Sequence, residues 1–241
     1  MIGTLVNVAT VLVGGALGLL FGARLPDRLK QTVIAGLGLF VLAFGVSNFT
    51  KTQNPLIVVG ALLIGGLLGE WWKIEEALQG LGGWLERRFT PKQAGNQGPT
   101  GGSRFVHGFL TASILFCVGP ISILGSIQDG LKGDHSLLII KAIMDGFASL
   151  AFASSLGVGV LFSVIVILIY QGGISLLAAQ LTSVVTPAMM AELTAVGGVL
   201  LVGIAISSLL EIKPMRMASF LPSLAIAPLI VALLTALGVK Y

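Results

Sequence analysis

The sequence predicts an all-α polytopic membrane helical bundle with about eight transmembrane segments. Three observations carry that expectation. Only 10% of the residues are charged while 55% are hydrophobic, and the mean hydropathy is +1.00. A chain of 241 residues with so few charges has lipid as its main solvent. The apolar residues also fall into successive windows of spanning length, separated by short polar stretches. Together these windows use most of the chain, so a single membrane domain covering residues 1–241 is expected.

The windows lie near residues 2–22, 31–49, 55–72, 105–127, 136–154, 157–180, 193–210 and 217–238, here called spans one to eight. The first opens at Ile2 with no basic residues ahead of it and runs to Phe21, too long and wrongly flanked for a cleavable signal peptide, so it reads as a retained span. After span three, Ile74, Leu78, Leu81, Leu85 and Phe89 recur at helical spacing opposite charged positions. Residues 73–90 therefore read as an amphipathic helix lying in the membrane interface. Residues 91–103, rich in Gly, Pro, Gln and Asn, read as a flexible linker.

Orientation follows from the basic residues, which concentrate in cytoplasmic loops. Arg24, Arg28, Lys30, Lys73, Arg87, Arg88, Lys92, Arg104, Lys213 and Arg216 follow odd-numbered spans, against Lys51, Lys132 and Lys240 on the other side. Both termini are then expected outside, and the amphipathic helix and linker in the cytoplasm. The same scatter of cations, with no basic stripe and few interleaved aromatics, argues against nucleic acid. One cysteine, Cys117, excludes an intramolecular disulfide and a cysteine-rich metal cluster.

The chain also resembles itself. Gly14-Gly15 match Gly172-Gly173, while Pro26, Gly36 and Ser47 match Pro187, Gly197 and Ser208, so spans one and two resemble spans six and seven. Pro55 and Pro222 extend the match to spans three and eight once a further small gap is allowed, and His107-Gly108-Phe109 against Asp145-Gly146-Phe147 pairs span four with span five. Each mate lies an odd number of crossings away, which is the pattern of the inverted-topology repeats that build many secondary transporters. Chance matching of Gly- and Leu-rich helices is the plain alternative, and the pairing order would make one repeat a circular permutation of the other.

Ionisable groups within spans are costly, by about 2.5–3.5 kcal/mol each on insertion scales, and so mark pathways or pairs. Lys141 and Asp145, four apart in span five, share one helix face. They read either as a substrate- or proton-linked carboxylate beside a cation, or as a structural pair with the lysine snorkelling outward. In span four, Gly119 and Pro120 should break the helix, because proline lacks the N–H and clashes with the preceding turn. The freed backbone groups need partners, which is why broken helices mark transporter sites, although a simple kink is the alternative. Gln128 and Asp129 beyond it suit a gate or an exposed helix-end turn. Asn7 in span one and Gln171 in span six add polar groups beside the glycine pairs. Ser154 and Ser155 add hydroxyls, with Thr4 and Ser163; such hydroxyls mostly bond their own backbone. Glu70, Trp71 and Trp72 read as an interface marker.

His107 and His135 show no metal-ligand spacing, and neither a phosphate-binding loop nor a Gly-x-Ser-x-Gly motif is present, so no enzyme, cofactor or metal is expected. A resemblance rests on Ile2-Gly3-Thr4 with Asn7 and Gly14-Gly15, Phe116-Cys117-Val118-Gly119-Pro120, Asp145-Gly146, Tyr170-Gln171-Gly172-Gly173, and Phe220-Leu221-Pro222 with Ala227-Pro228. Over nearly its whole length the chain resembles the bacterial membrane proteins grouped as domain of unknown function 554 (DUF554). The resemblance implies a multi-spanning inner-membrane protein and supplies neither substrate nor site residues. The expected function is secondary transport of a small solute or ion by alternating access, with Lys141, Asp145 and the broken span at the site. The alternatives are a channel formed by a homo-oligomer of so small a chain, and a scaffold subunit docking through residues 73–89.

Overall fold

A computed structural model of the chain describes residues 1–22, 26–89, 104–117, 120–182 and 185–238. Among these every regular element is helical: α1 (Ile2–Gly22), α2 (Asp27–Phe49), α3 (Pro55–Trp71), α4 (Ile74–Phe89), α5 (Arg104–Cys117), α6 (Pro120–Lys132), α7 (Ser136–Leu156), α8 (Ser163–Leu176), α9 (Ala178–Thr182), α10 (Pro187–Ile204) and α11 (Ser223–Ala236). A 3-10 segment, Val158–Phe162, leads into α8, another, Met217–Phe220, precedes α11, and α10 ends in a π-helical turn, Ala205–Leu209. Six described helices are long and apolar enough to cross a membrane, or up to eight if each of two bent pairs counts as one span. The pairs are α3 with α4, bent by 57°, and α5 with α6, bent by 63°. The chain is an all-helical membrane protein.

Local chemistry sets the element ends. Asn54 caps α3, its side-chain oxygen accepting from the Leu56 amide at 3.0 Å, with Pro55 in the first turn where its missing N–H costs nothing. Thr186 and Pro187 repeat the arrangement at α10. That helix begins well before residue 193, where the apolar window starts, because the charged Glu192 ends the hydropathy signal but not the helix. The amphipathic helix is present as α4, with Glu75 and Glu76 in its first turn and Arg87 and Arg88 in its last, matching the helix dipole. The linker at 91–103 lies outside the described residues.

The chain divides into two compact units. The first comprises Met1–Leu37 with Gln79–Ser183, the second Gly38–Leu78 with Val184–Tyr241. In the first unit α1 and α7 run parallel and in close contact. A side chain on Gly14, Gly18 or Gly22 would strike the carbonyl oxygens of Gly146, Leu150 and Ser154 respectively, so glycine on successive turns of α1 lets the backbones meet. The Ser149 hydroxyl donates to the Val11 carbonyl at 2.8 Å across the same seam. Leu85 of α4 packs with Phe105, Val106 and Phe109 of α5.

In the second unit α2 and α10 cross where a Cβ at Gly45 would lie 2.6 Å from the Gly198 oxygen and one at Gly198 would lie 2.5 Å from the Gly45 oxygen. Helices α3 and α11 pack antiparallel, Gly65 against Ser223 and Ile57 against Val231. Large apolar side chains face outward along several spans, among them Leu56, Leu67, Phe147 and Ile169, while many of the polar ones are buried. That distribution suits lipid and not water as the surrounding medium.

Candidate functional site

Asn7, Lys141, Asp145 and Gln171, read from the sequence, meet within the first unit, on α1, α7 and α8. Asn7 and Gln171 are fully buried, and Lys141 and Asp145 nearly so. The Lys141 ammonium donates to Asp145 Oδ2. Asn7 Nδ2 donates to the same oxygen at 3.0 Å and to Gln171 Oε1 at 3.1 Å. Helical geometry explains the meeting: Lys141 and Asp145 lie one turn apart on one face of α7, and the glycines of α1 bring Asn7 within reach. Thr4, on the Asn7 side of α1, is fully buried as well.

The break in span four lies beside this cluster. Helix α5 stops at Cys117 and α6 starts at Pro120. Phe116, in the last turn of α5, is fully buried and holds its ring centroid 6.0 Å from Lys141 Nζ, within cation–π range. The Ser122 hydroxyl reaches back across the break to donate to the Phe116 carbonyl at 3.1 Å, satisfying a group the broken helix leaves open. Gly119 lies outside the described residues, and Pro120 is placed as the first residue of α6.

The remaining sequence candidates sit elsewhere. Asp129 is buried near the end of α6, where its carboxylate meets the Met1 amino nitrogen at 2.9 Å and His135 Nδ1 at 2.7 Å; it is no exposed turn residue. Gln128 beside it is half-buried. Asp134, exposed in the following turn, accepts from the Ser136 amide at 3.0 Å and hydroxyl at 2.7 Å, which hold its carboxyl below the ordinary carboxylate range. Ser154 and Ser155 lie at the far end of α7, about 15 Å along the axis from Asp145 at about 1.5 Å per residue. There the Ser154 hydroxyl donates to the Ala151 carbonyl at 2.7 Å and the Arg104 guanidinium donates to the Ser155 carbonyl, closing the helix terminus.

Sequence reasoning missed Glu192. It is fully buried in the second unit and accepts from Thr52 Oγ1 at 2.7 Å and from the amides of Gln53 and Asn54 at 2.7 and 3.1 Å. Its partners belong to the turn before α3, so it ties that turn to α10. A carboxylate beside an otherwise apolar stretch was the available signal. Glu75, in the first turn of α4, is buried as well, and its carboxylate accepts from the Ala218 amide at 2.9 Å in the same unit. Glu70, next to the tryptophans, joins Ser219 and Arg216 there. Among the described residues no cluster of His, Cys, Asp and Glu is arranged to hold a metal ion.

Comparison with known sequences decides the family. The family model described as "Protein of unknown function (DUF554)" matches residues 2–232. The chain belongs to the DUF554 family. This DUF554 chain is 29% identical to the "Uncharacterized membrane protein YdfK" of Bacillus subtilis (strain 168), with both chains covered completely. It is 33% identical to the "Uncharacterized protein YqgA" of Escherichia coli (strain K12), over 94% of each chain. No solved structure matches.

Proposed function

We propose that this DUF554 protein is a secondary transporter that moves a small solute or ion across the bacterial inner membrane by alternating access. One observation carries the reading: a buried Lys141–Asp145 pair, bonded to Asn7, stands directly beside a helix broken between Cys117 and Pro120. A discontinuous helix brings the opposite dipole ends of its two halves, and its freed backbone groups, to one depth in the bilayer. An ionisable pair at that depth supplies a charge that substrate or proton binding can alter. The break and the pair come from different segments, and a packing role for either one does not require the other.

The self-similarity of the sequence supports the same reading. Helices of spans one and six, and of four and five, share the first unit, and those of spans three and eight, with span seven and the later half of span two, share the second. Matched helices thus pack in the same unit, which suits an inverted repeat. The excess of basic residues after odd-numbered spans supports a topology with both termini outside and α4 in the cytoplasm.

The test is flux into proteoliposomes containing the purified protein, using ligands selected by a thermal-unfolding screen of amines, amino acids, other metabolites and ions. Saturable, gradient-coupled uptake is expected, and Asp145→Asn should abolish it while leaving membrane insertion and the elution profile unchanged. Normal uptake by Asp145→Asn would make the pair a structural one. Flux that does not saturate would indicate a channel.

A further inference from the structure

We infer that the site takes a small neutral α-amino acid, a short zwitterion bearing a protonated amine. The inference rests on the transport reading and adds the substrate class. It follows from which polar atoms the network uses and which it leaves over. Asp145 accepts from Asn7, so the atom Asn7 presents to the carboxylate must be its amide nitrogen. The same nitrogen also faces Gln171, which must then present its oxygen. Three buried groups are left with no hydrogen-bond partner: the acceptor Asn7 Oδ1, the donor Gln171 Nε2, and the hydroxyl Thr4 Oγ1. Buried polar atoms without partners are rare, and two within one hydrogen-bonded network, with a third about one turn away from Asn7 on α1, point to a ligand that presents both a donor and an acceptor.

The ion pair sharpens the class. A cation alone could bind Asp145 only by releasing Lys141, which would stand charged and unpartnered in a buried site; an anion alone would strand Asp145 in the same way. A zwitterion replaces one ion pair by two and carries no net charge into the interior. Its ammonium would take Asp145, Asn7 Oδ1 and Thr4 Oγ1 as acceptors, and its carboxylate would take Lys141 and Gln171 Nε2 as donors. Because the Lys141 ammonium and the Asp145 carboxylate are in direct contact, the two charges of the ligand must lie only a few bonds apart. A quaternary amine has no N–H to give Asn7 Oδ1, so betaines are excluded.

The experiment uses the full-length protein in detergent and then in proteoliposomes. The probes are glycine, L-alanine, L-serine and L-threonine, with ethylamine as a cation alone, propionate as an anion alone and glycine betaine as a zwitterion without an N–H as controls. At least one amino acid should raise Tm by about 2–4 °C at saturating concentration, with no shift from the three controls. Thr4→Val and Gln171→Leu should each weaken that binding about three- to tenfold, and Lys141→Met should remove it. If Lys141→Met does not fold, the two milder variants still decide. Stabilisation by ethylamine or an inorganic cation instead, lost in Asp145→Asn, would overturn the zwitterion and keep the transporter. Flux of some other solute with no amino-acid binding would do the same. No binding and no flux would sink both.

Discussion

Lys141 and Asp145 are nearly buried, and removing one member of such a pair leaves an uncompensated charge, at a cost of about 3–5 kcal/mol. Replacing both with apolar residues of similar volume removes the desolvation penalty along with the attraction and comes close to neutral. Asp145→Leu and Lys141→Met should therefore each lower Tm markedly, and the double variant should recover most of the loss. That comparison, read by thermal unfolding in detergent, separates folding from work. If the double variant is as stable as the wild type yet inactive in flux, the pair is kept for function. Glu192 differs: the Thr52 hydroxyl and the Gln53 and Asn54 backbone amides that donate to it are all neutral, so it serves as a fastener for the turn before α3.

The α1/α7 seam is the element on which the site depends. Asn7 reaches Asp145 only because Gly14, Gly18 and Gly22 let α1 lie against the carbonyls of α7. An added side chain must push the helices apart, and overpacking a tight contact costs about 1–3 kcal/mol or more. Gly18→Leu should lower Tm and abolish activity together, since it separates the polar partners as well as the backbones. Gly36→Ala in α2, where a Cβ meets nothing, should be neutral to stabilising by about 0.5–1 kcal/mol because alanine favours the helix. Equal losses in the two variants would show that the contact pattern at α1 carries no special weight. The break between α5 and α6 is a second such element, since it brings Phe116 against Lys141.

For the whole molecule, the proposed topology makes a direct prediction. Reporters fused to either terminus should read as periplasmic, and a reporter inserted in the linker at 91–103 should read as cytoplasmic. Opposite readings at the two termini would mean an odd number of crossings. In that case one bent pair does not span, and α3 with α4, whose apolar part is Pro55–Trp71 alone, is the pair to test first. Such a result would also remove the opposed orientation on which the inverted repeat depends.

By itself the sequence determined the class of the fold, the approximate positions of six apolar spans, an amphipathic helix after span three and the interruption of span four before Pro120. These follow from local properties: hydropathy over about 20 residues, helical periodicity, and the chemistry of proline. It also picked out Lys141 and Asp145, because four residues of spacing is a contact within one helix. What only the tertiary structure decided was which distant polar groups meet. Asn7 and Gln171 join the pair, whereas Ser154 and Ser155 finish a helix and Asp129 turns to Met1 and His135. The physical reason is that helix packing depends on where small residues face one another across the seam. Gly14 and Gly146 lie far apart in the chain, and no local pattern records that they touch.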